Sequence, residues 1–439
     1  MSFFGPISPP FLNESSAPLI RLAIQRARIV GSFAVIQAIV QILGFLSGIF
    51  LVRSLSSREY AYFTIANTMQ GTLNLLADIG ISVGLMSIGG RVWHDRHRFG
   101  ELISSAFKVR YKLALVAILI VTPLLYSMLV KNGASNFYAL ILIALVLSGL
   151  GIQLSMGVLS VVPRLHSDVG QIQRIDLTGA ILRLICLVAL LYVFLNAGIA
   201  IAVAAAVFLV QYLMLHRYVA GVVDLHAPEN LEDRHAIVGF VRSLAPNAVF
   251  YCFQGQITVF LISFFGHQVN SVAEVGALGR LAMFFTVLSN LLTNIFVPAF
   301  ARCHEPRKLR LLYAAILGGV VAFSLVALCA AGFFPKQFLF VLGNKYAHLD
   351  RELLLMVSGA VAAAIAGTLW ALNASKAWIR GSWLYIPLTL ATQIALIPYT
   401  AFSSVRGVLI FNLVSILPSL LLNLVLAYRG FRSLSPPAG

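Results

Sequence analysis

The sequence predicts an all-α integral membrane protein of about twelve transmembrane helices, set in two halves of six around a polar chamber. Three observations predict it. The chain of 439 residues is 60% hydrophobic and only 10% charged, whereas about 25% of residues in a soluble domain are charged. Its apolar residues gather into runs of about 20, the length that crosses the bilayer core. Several of these runs also carry polar side chains at helical spacing, and such a face must meet protein or water, because lipid cannot satisfy it.

The first run, 29–52, follows a segment holding Pro6, Pro9, Pro10 and Pro18. No basic residue opens that segment, so it does not read as a signal peptide and the first span is expected to stay uncleaved. Arg21, Arg26 and Arg28 form a basic lead-in. The later runs are 61–89, 109–130, 137–162, 176–195, 198–216, 244–265, 275–299, 311–334, 353–374, 383–402 and 407–428. The longest connection, 217–243, holds Asp224, Pro228, Glu229, Glu232 and Asp233 and divides the spans six and six. The expected organisation is a cytoplasmic N-terminal segment (1–28), a six-helix bundle (29–216), a cytoplasmic linker (217–243), a second six-helix bundle (244–429) and a cytoplasmic tail (430–439). Both halves then enter the membrane from the same side, the pattern of parallel repeats.

The formal charge of +16 does not indicate a nucleic-acid partner, because the cations lie in short loops between apolar spans. With the N-terminus inside, 22 of the 31 lysines and arginines fall on the cytoplasmic side, 7 on the other, and Arg183 and Arg280 within spans. This asymmetry is the positive-inside signature. It predicts a multi-pass protein with both termini cytoplasmic. Cys186, Cys252, Cys303 and Cys329 show no paired spacing, which predicts free thiols.

Asn67, Gln70, Asn74, Asp78 and Ser82 follow at +3, +4, +4 and +4, one side of a helix. Gln37, Gln41, Gly44 and Gly48 make a second stripe, and Asn247, Tyr251, Gln254 and Thr258 a third. Asn290 and Asn294, with Arg280 some three turns earlier, make a looser fourth. The amides and Tyr251 are the expected cavity contacts, and transport is the first function to consider. The guanidinium fork of Arg280 suits a phosphate, although it could instead snorkel or pair with an acid. Asp78 reads as an ion-coupling carboxylate, with a structural hydrogen bond as the alternative. Asp176 and Arg183, seven residues apart, are expected to form a structural ion pair. Arg53 should mark the outer interface. Spans three, six and nine lack stripes and should pack outside.

Enzyme signatures are missing: there is no Walker A sequence, dinucleotide fingerprint or zinc-protease helix. His94 and His97 lie in the basic loop Trp93–Arg98 at a spacing that builds no metal site. No cofactor or metal is expected. The loop Gly90–Arg98 resembles the major-facilitator loop motif, but it has one residue too many before Asp95 and lacks the second glycine.

The stretch Leu51-Val-Arg53-Ser-Leu55-Ser-Ser-Arg-Glu59-Tyr60-Ala-Tyr62, with Asp78-Ile-Gly80, resembles the opening of polysaccharide flippases. These are the O-antigen and exopolysaccharide repeat-unit type of the multidrug/oligosaccharidyl-lipid/polysaccharide exporter superfamily. Val275-Gly276, Gly279-Arg280-Leu281 and Pro298-Ala-Phe-Ala-Arg302 resemble the family's eighth span, and Leu342-Gly343-Asn344-Lys345-Tyr346 its segment before the tenth. Ala61 departs from the pattern at a place often held by glycine. The lipid II branch differs from this chain in its usual fourteen spans and more cationic cavity.

The resemblance implies two six-helix bundles around a central cavity lined by spans one, two, seven and eight. It also implies alternating access in the bacterial inner membrane. The implied cargo is an oligosaccharide on undecaprenyl diphosphate, with a polysaccharide polymerase or export machinery as partner besides membrane lipid. A cation-coupled drug or small-solute antiporter is the second reading. A membrane sugar polymerase or glycosyltransferase is the third. It would need catalytic acids in an external loop, and the longest candidate, 335–352, offers only Asp350 and Glu352.

Overall fold

The computed structural model describes residues 17–166, 168–190, 196–266, 270–291, 297–303, 305–379 and 381–433. Every expected run holds helix. The N-terminal half comprises α1 (Ala17–Ser54), α2 (Ser57–Asp78), α3 (Ile81–Val92), α4 (Arg96–Lys131), α5 (Asn136–Leu159), α6 (Val161–Leu165), α7 (Val169–Leu190) and α8 (Ala197–Val222). The C-terminal half comprises α9 (Leu231–Phe265), α10 (Asn270–Leu291), α11 (Val297–Arg302), α12 (Pro306–Phe333), α13 (Pro335–Leu342), α14 (Asp350–Ser375), α15 (Tyr385–Leu396), α16 (Val405–Ser415) and α17 (Leu417–Ser433).

Among the described residues, eight helices are long and apolar enough to span a membrane, and a ninth span is the pair α2 and α3, bent by 44°. The other three runs hold α7, α10 and α15. Charges interrupt two of them: Arg174, Asp176 and Arg183 in α7, Glu274 and Arg280 in α10. The protein is therefore a multi-pass, all-α membrane protein.

Local chemistry sets the helix starts. Ser56 caps α2 by accepting from the Glu59 N–H, and Ser56-x-x-Glu59 is the capping-box pattern. Asp95 caps α4, Ser135 caps α5 and Asn196 caps α8 in the same way. The bend between α2 and α3 falls at Gly80, whose φ of +74° is open to glycine at no steric cost. A Cβ there would also lie 3.0 Å from the Phe240 carbonyl of α9, so the same glycine lets α9 approach.

The connection expected over 217–243 is largely helical. Only 223–230 separates α8 from α9, because Asn230 caps α9 early and its first turns bury Ile237 and Val241. Helix α4 likewise begins at Arg96, 13 residues before the expected span, which adds about 20 Å of helix beyond the apolar stretch.

Among the described residues, three apolar cores organise the molecule. One joins both halves at the end away from the basic loops, from Leu55 and Leu129 to Ala273, Leu342 and Leu353. At the basic end the cores are separate. One belongs to the N-terminal half and takes in Ile237 and Val241 of α9; the other gathers Phe300, Leu309, Tyr313 and Leu372 in the C-terminal half. The shared core thus joins the halves at one end, while at the basic end α9 alone among the described helices carries the C-terminal half's contribution to the N-terminal core.

Reciprocal caps hold the joined end. Arg53, at the end of α1, donates from Nε to the Val341 carbonyl of α13 at 2.9 Å and from Nη2 to the Phe340 carbonyl. Lys345, just after α13, donates to the Leu55 carbonyl at 2.6 Å and the Arg53 carbonyl at 3.1 Å. Each cation thus satisfies the terminal carbonyls of a helix in the other half. At the basic end, Arg98 of α4 makes a two-pronged pair with Asp233 of α9, and Lys108 lies 2.8 Å from Glu229.

Candidate functional site

The α2 stripe faces a recess of about 220 Å³ inside the N-terminal half, lined by Asn67, Gln70, Asn74, Gln153 and Arg183. An adjoining recess of about 260 Å³ shares Arg183, Ala204 and Phe208 and adds Gln41, Asp176 and Gln211. Asn74 donates to Gln153 of α5, which fixes both amides. Gln70 lies against Gly149, where a Cβ would come within 3.0 Å of its Nε2. Four helices therefore deliver amides to one space.

Arg183 is the centre of this space. Among the described residues no carboxylate reaches it within ion-pair distance, and the expected pair with Asp176 does not form. Seven residues of helix separate the two by about 10 Å along the axis, and each lines the recess at its own level. Arg280 of α10 approaches from the other half. Its Nε donates to the Tyr60 hydroxyl at 3.3 Å, its guanidinium lies 6.0 Å from the Phe63 ring centroid, and its stem runs over Gly48. Phe63 itself lines the recess, so Arg280 stands over one of its walls.

Asp78 stands apart. Its Oδ1 is 2.9 Å from Nη1 of the buried Arg110 and accepts from the Ser82 hydroxyl at 2.8 Å. That is the interhelical alternative anticipated for this carboxylate, made with a partner on α4. Span six does not pack only outside: α8 supplies Ala204, Phe208 and Gln211 to the recess.

The third stripe faces a different space. Tyr251 and Gln254 line recesses of about 330 and 370 Å³ in the C-terminal half, which share Tyr251, Ala363, Tyr385 and Ile416. The rings of Tyr251 and Tyr385 stack at 5.5 Å, with Phe250 edge-on to Tyr385 at 5.4 Å. Gln393 donates to Gln254 at 3.0 Å. Trp370, Ser382, Asn412, Ser415, Ser419 and Asn423 complete the polar and aromatic lining.

Gln37 lies half-buried on α1, one turn before Gln41, and Asn247 is exposed on α9. Asn290 falls on α10, and Asn294 lies outside the described residues. Sequence reasoning missed Gln153 and Gln211 in one half, where it gave Arg183 only a structural ion pair, and Trp370, Tyr385, Asn412 and Asn423 in the other. One signal was available: Asn412, Ser415, Ser419 and Asn423 repeat at +3, +4 and +4, the same stripe that marks α2. The segment 335–352, expected to be external, is taken up by α13, a turn at Asn344–Tyr346 and the start of α14, and its Lys345 caps the end of α1.

Solved transporters share this architecture. An inward-facing multidrug resistance MATE transporter of the MOP superfamily superposes with a TM-score of 0.65 at 14% identity, covering 92% of this chain and all of that one. The chain shares the MOP-superfamily transporter fold. The lipid II flippase MurJ, in an inward closed conformation, gives 0.59 at 10% identity over 92% of this chain and 89% of its own. A MOP-superfamily transporter from Pyrococcus furiosus gives 0.56 at 13% identity, over 92% and 93% of the two chains. No family model and no curated protein matches the sequence. The count of twelve helices is consistent with this fold.

Proposed function

We propose that the protein translocates an oligosaccharide carried on a polyprenyl diphosphate across the bacterial inner membrane by alternating access, for the synthesis of surface or extracellular polysaccharide. Undecaprenyl diphosphate is the proposed carrier, and a polysaccharide polymerase or export assembly the proposed partner. The observation that carries the reading is Arg183, a guanidinium within the membrane span, set among amides and facing no carboxylate at ion-pair distance among the described residues. A cation held this way favours an anion that arrives and leaves, and its fork matches phosphate oxygens. Arg280, over the Phe63 ring that lines the recess, supplies a second positive charge from the other half. The amides of Gln41, Asn67, Gln70 and Asn74 suit an oxygen-rich headgroup.

The reading has a direct test. Cells depleted of the protein should accumulate a completed repeat unit on its lipid, identified by mass spectrometry of extracted polyprenyl-diphosphate lipids. Arg183→Gln should reproduce that accumulation while the protein reaches the membrane in normal amount. Unchanged lipid carriers in both strains would refute it.

A cation-coupled drug or small-solute antiporter is the second reading. It is favoured by Asp176, which lines the same recess without a cation at ion-pair distance among the described residues. On that reading Asp176→Asn abolishes drug resistance and leaves the lipid carriers unchanged.

A further inference from the structure

The two recesses differ in chemistry. The N-terminal one holds Arg183 and four amides. Among the described residues the C-terminal one has no Asp, Glu, Lys or Arg in its lining, and instead combines Tyr251, Trp370 and Tyr385 with Gln254, Asn412 and Asn423 and the hydroxyls of Ser382, Ser415 and Ser419. Tyr251 and Trp370 both line the recess and keep 51% and 40% of their surface exposed, with one face of the Tyr251 ring stacked on Tyr385.

The recesses lie on opposite sides of one seam. Helix α2 presents Asn67, Gln70 and Asn74 to the first, while its Gly71 and Thr72 meet α9: Gly71 faces Gln256 Nε2, and the Cys252 thiol donates to the Thr72 carbonyl at 3.7 Å. Tyr251 and Gln254, beside Cys252 on α9, face the second. A ligand with an anionic group and an uncharged polar group could therefore straddle the α2–α9 seam.

We infer that the aromatic recess of the C-terminal half is a saccharide subsite, which takes uncharged pyranose rings while the Arg183 recess takes the diphosphate; this rests on the lipid-linked oligosaccharide reading above. A pyranose presents a face of C–H bonds that lies flat on an aromatic ring, and a rim of hydroxyls that pair with amides and serines. The space falls in the range of about 300–1,000 Å³ typical of small-ligand sites, which likewise combine apolar walls with a few placed polar groups. A prenyl tail would leave those amides and hydroxyls without partners. An organic cation would find aromatic faces but no carboxylate among the described lining residues.

Binding to the purified full-length protein in lipid nanodiscs tests the inference with two probes. One is undecaprenyl diphosphate, and the other is the saccharide-bearing lipid extracted from cells depleted of the protein. The wild type should bind the saccharide-bearing lipid at least about tenfold more tightly, at two- to tenfold per ring. Tyr251→Ala and Trp370→Ala should each erode that preference, and together bring it within about twofold, while undecaprenyl diphosphate binding stays unchanged. Tyr251→Phe should retain it. A preference that survives both alanines overturns the inference, as does an equal loss for both probes, which would make the rings structural. Tetraphenylphosphonium binding abolished by the same alanines would assign the recess to organic cations and also overturn it. Wild type that binds the diphosphate lipid without preferring the sugar defeats this inference alone; wild type that binds neither probe defeats the flippase reading with it.

Discussion

Removing the reciprocal caps at the joined end should open that end. Arg53→Ala with Lys345→Ala deletes four hydrogen bonds that run between the halves, two onto the last carbonyls of α13 and two onto the carbonyls of Arg53 and Leu55 around the end of α1. A hydrogen bond to a charged group contributes about 1.5–3 kcal/mol when sheltered. Both side chains are exposed here, so each bond is discounted to about 0.5 kcal/mol. The sum, about 2 kcal/mol, is about a 30-fold change in an equilibrium constant. An equilibrium that is about 100:1 in favour of closure would fall to about 3:1, placing about a quarter of molecules open at this end. Spin labels on the exposed Arg58 of α2 and Arg351 of α14, in a cysteine-free background, report the distance by pulsed electron resonance. The expected result is a second, longer population in the double variant, with the single variants between. An unchanged distribution would refute the reasoning and show that the shared apolar core closes this end without the caps.

Four other outcomes follow from the geometry. A Cβ on Gly276 would lie 2.4 Å from the Thr64 hydroxyl oxygen and 2.7 Å from its methyl, so Gly276→Ala should cost about 1–3 kcal/mol, read as a lowered melting temperature that Thr64→Ala partly restores. Asp78→Asn leaves Arg110 buried without its ion partner and should cost about 2 kcal/mol, less than a fully buried pair because Asp78 is 34% exposed; Asp78→Asn with Arg110→Met should recover much of it. A normal melt with lost transport in Asp78→Asn would return that carboxylate to ion coupling. The contact between His97 and Asp224 lies in the basic-end loops, where hydrogen bonding to Asp224 raises the His97 pKa and the same bond lowers that of Asp224. Its stabilisation is therefore complete between the ordinary values of about 3.8 for the acid and about 6.5 for the imidazole. It should fade as pH rises through the raised histidine value or falls through the depressed acid value, and Asp224→Asn should return the His97 titration, followed by NMR, toward its ordinary position. Pro246 lies within α9 between Val241, in the N-terminal core, and Ile262, in the shared core, and lacks the N–H that would bond to Arg242. Pro246→Ala should stiffen α9 and slow transport without weakening binding; an unchanged rate would leave the proline no part in the motion.

The helices were legible because apolar run length and capping residues are local properties. Ser56-x-x-Glu59, Asp95 and Asn196 begin helices where their side chains accept backbone N–H groups. The α2 stripe was legible for the same reason, since spacing alone puts Asn67, Gln70 and Asn74 on one face. What each face meets depends on pairing between distant segments. Asp78 lies in register with the stripe, yet the 44° bend after α2 and the approach of α4 give it Arg110. Arg183 was read as half of an ion pair from a seven-residue spacing, although two turns of helix keep Asp176 too far along the axis. The aromatic recess needed Tyr251, Trp370 and Tyr385 from three helices, and no periodicity within one helix announces such a meeting.

The motif residues that carry the family resemblance sit mainly at the joined end, away from the recess centre. Glu59 accepts from the Tyr138 hydroxyl at 2.7 Å and the Ala197 N–H at 2.8 Å, tying α2, α5 and the start of α8. Tyr60 holds Arg280, Gly276 admits Thr64, and Arg53 and Lys345 exchange caps. Such residues are suited to making a seam that closes and reopens, because each bond is modest and several are exposed to exchange with water. The recess residues are of a different kind, amides and rings whose partners can change with the cargo. Motifs in this chain therefore speak for how the halves come together, and the recess linings speak for what lies between them. Specificity should accordingly change with Arg183, Tyr251, Trp370 and Tyr385, and the balance between open and closed forms with Arg53, Gly276 and Lys345.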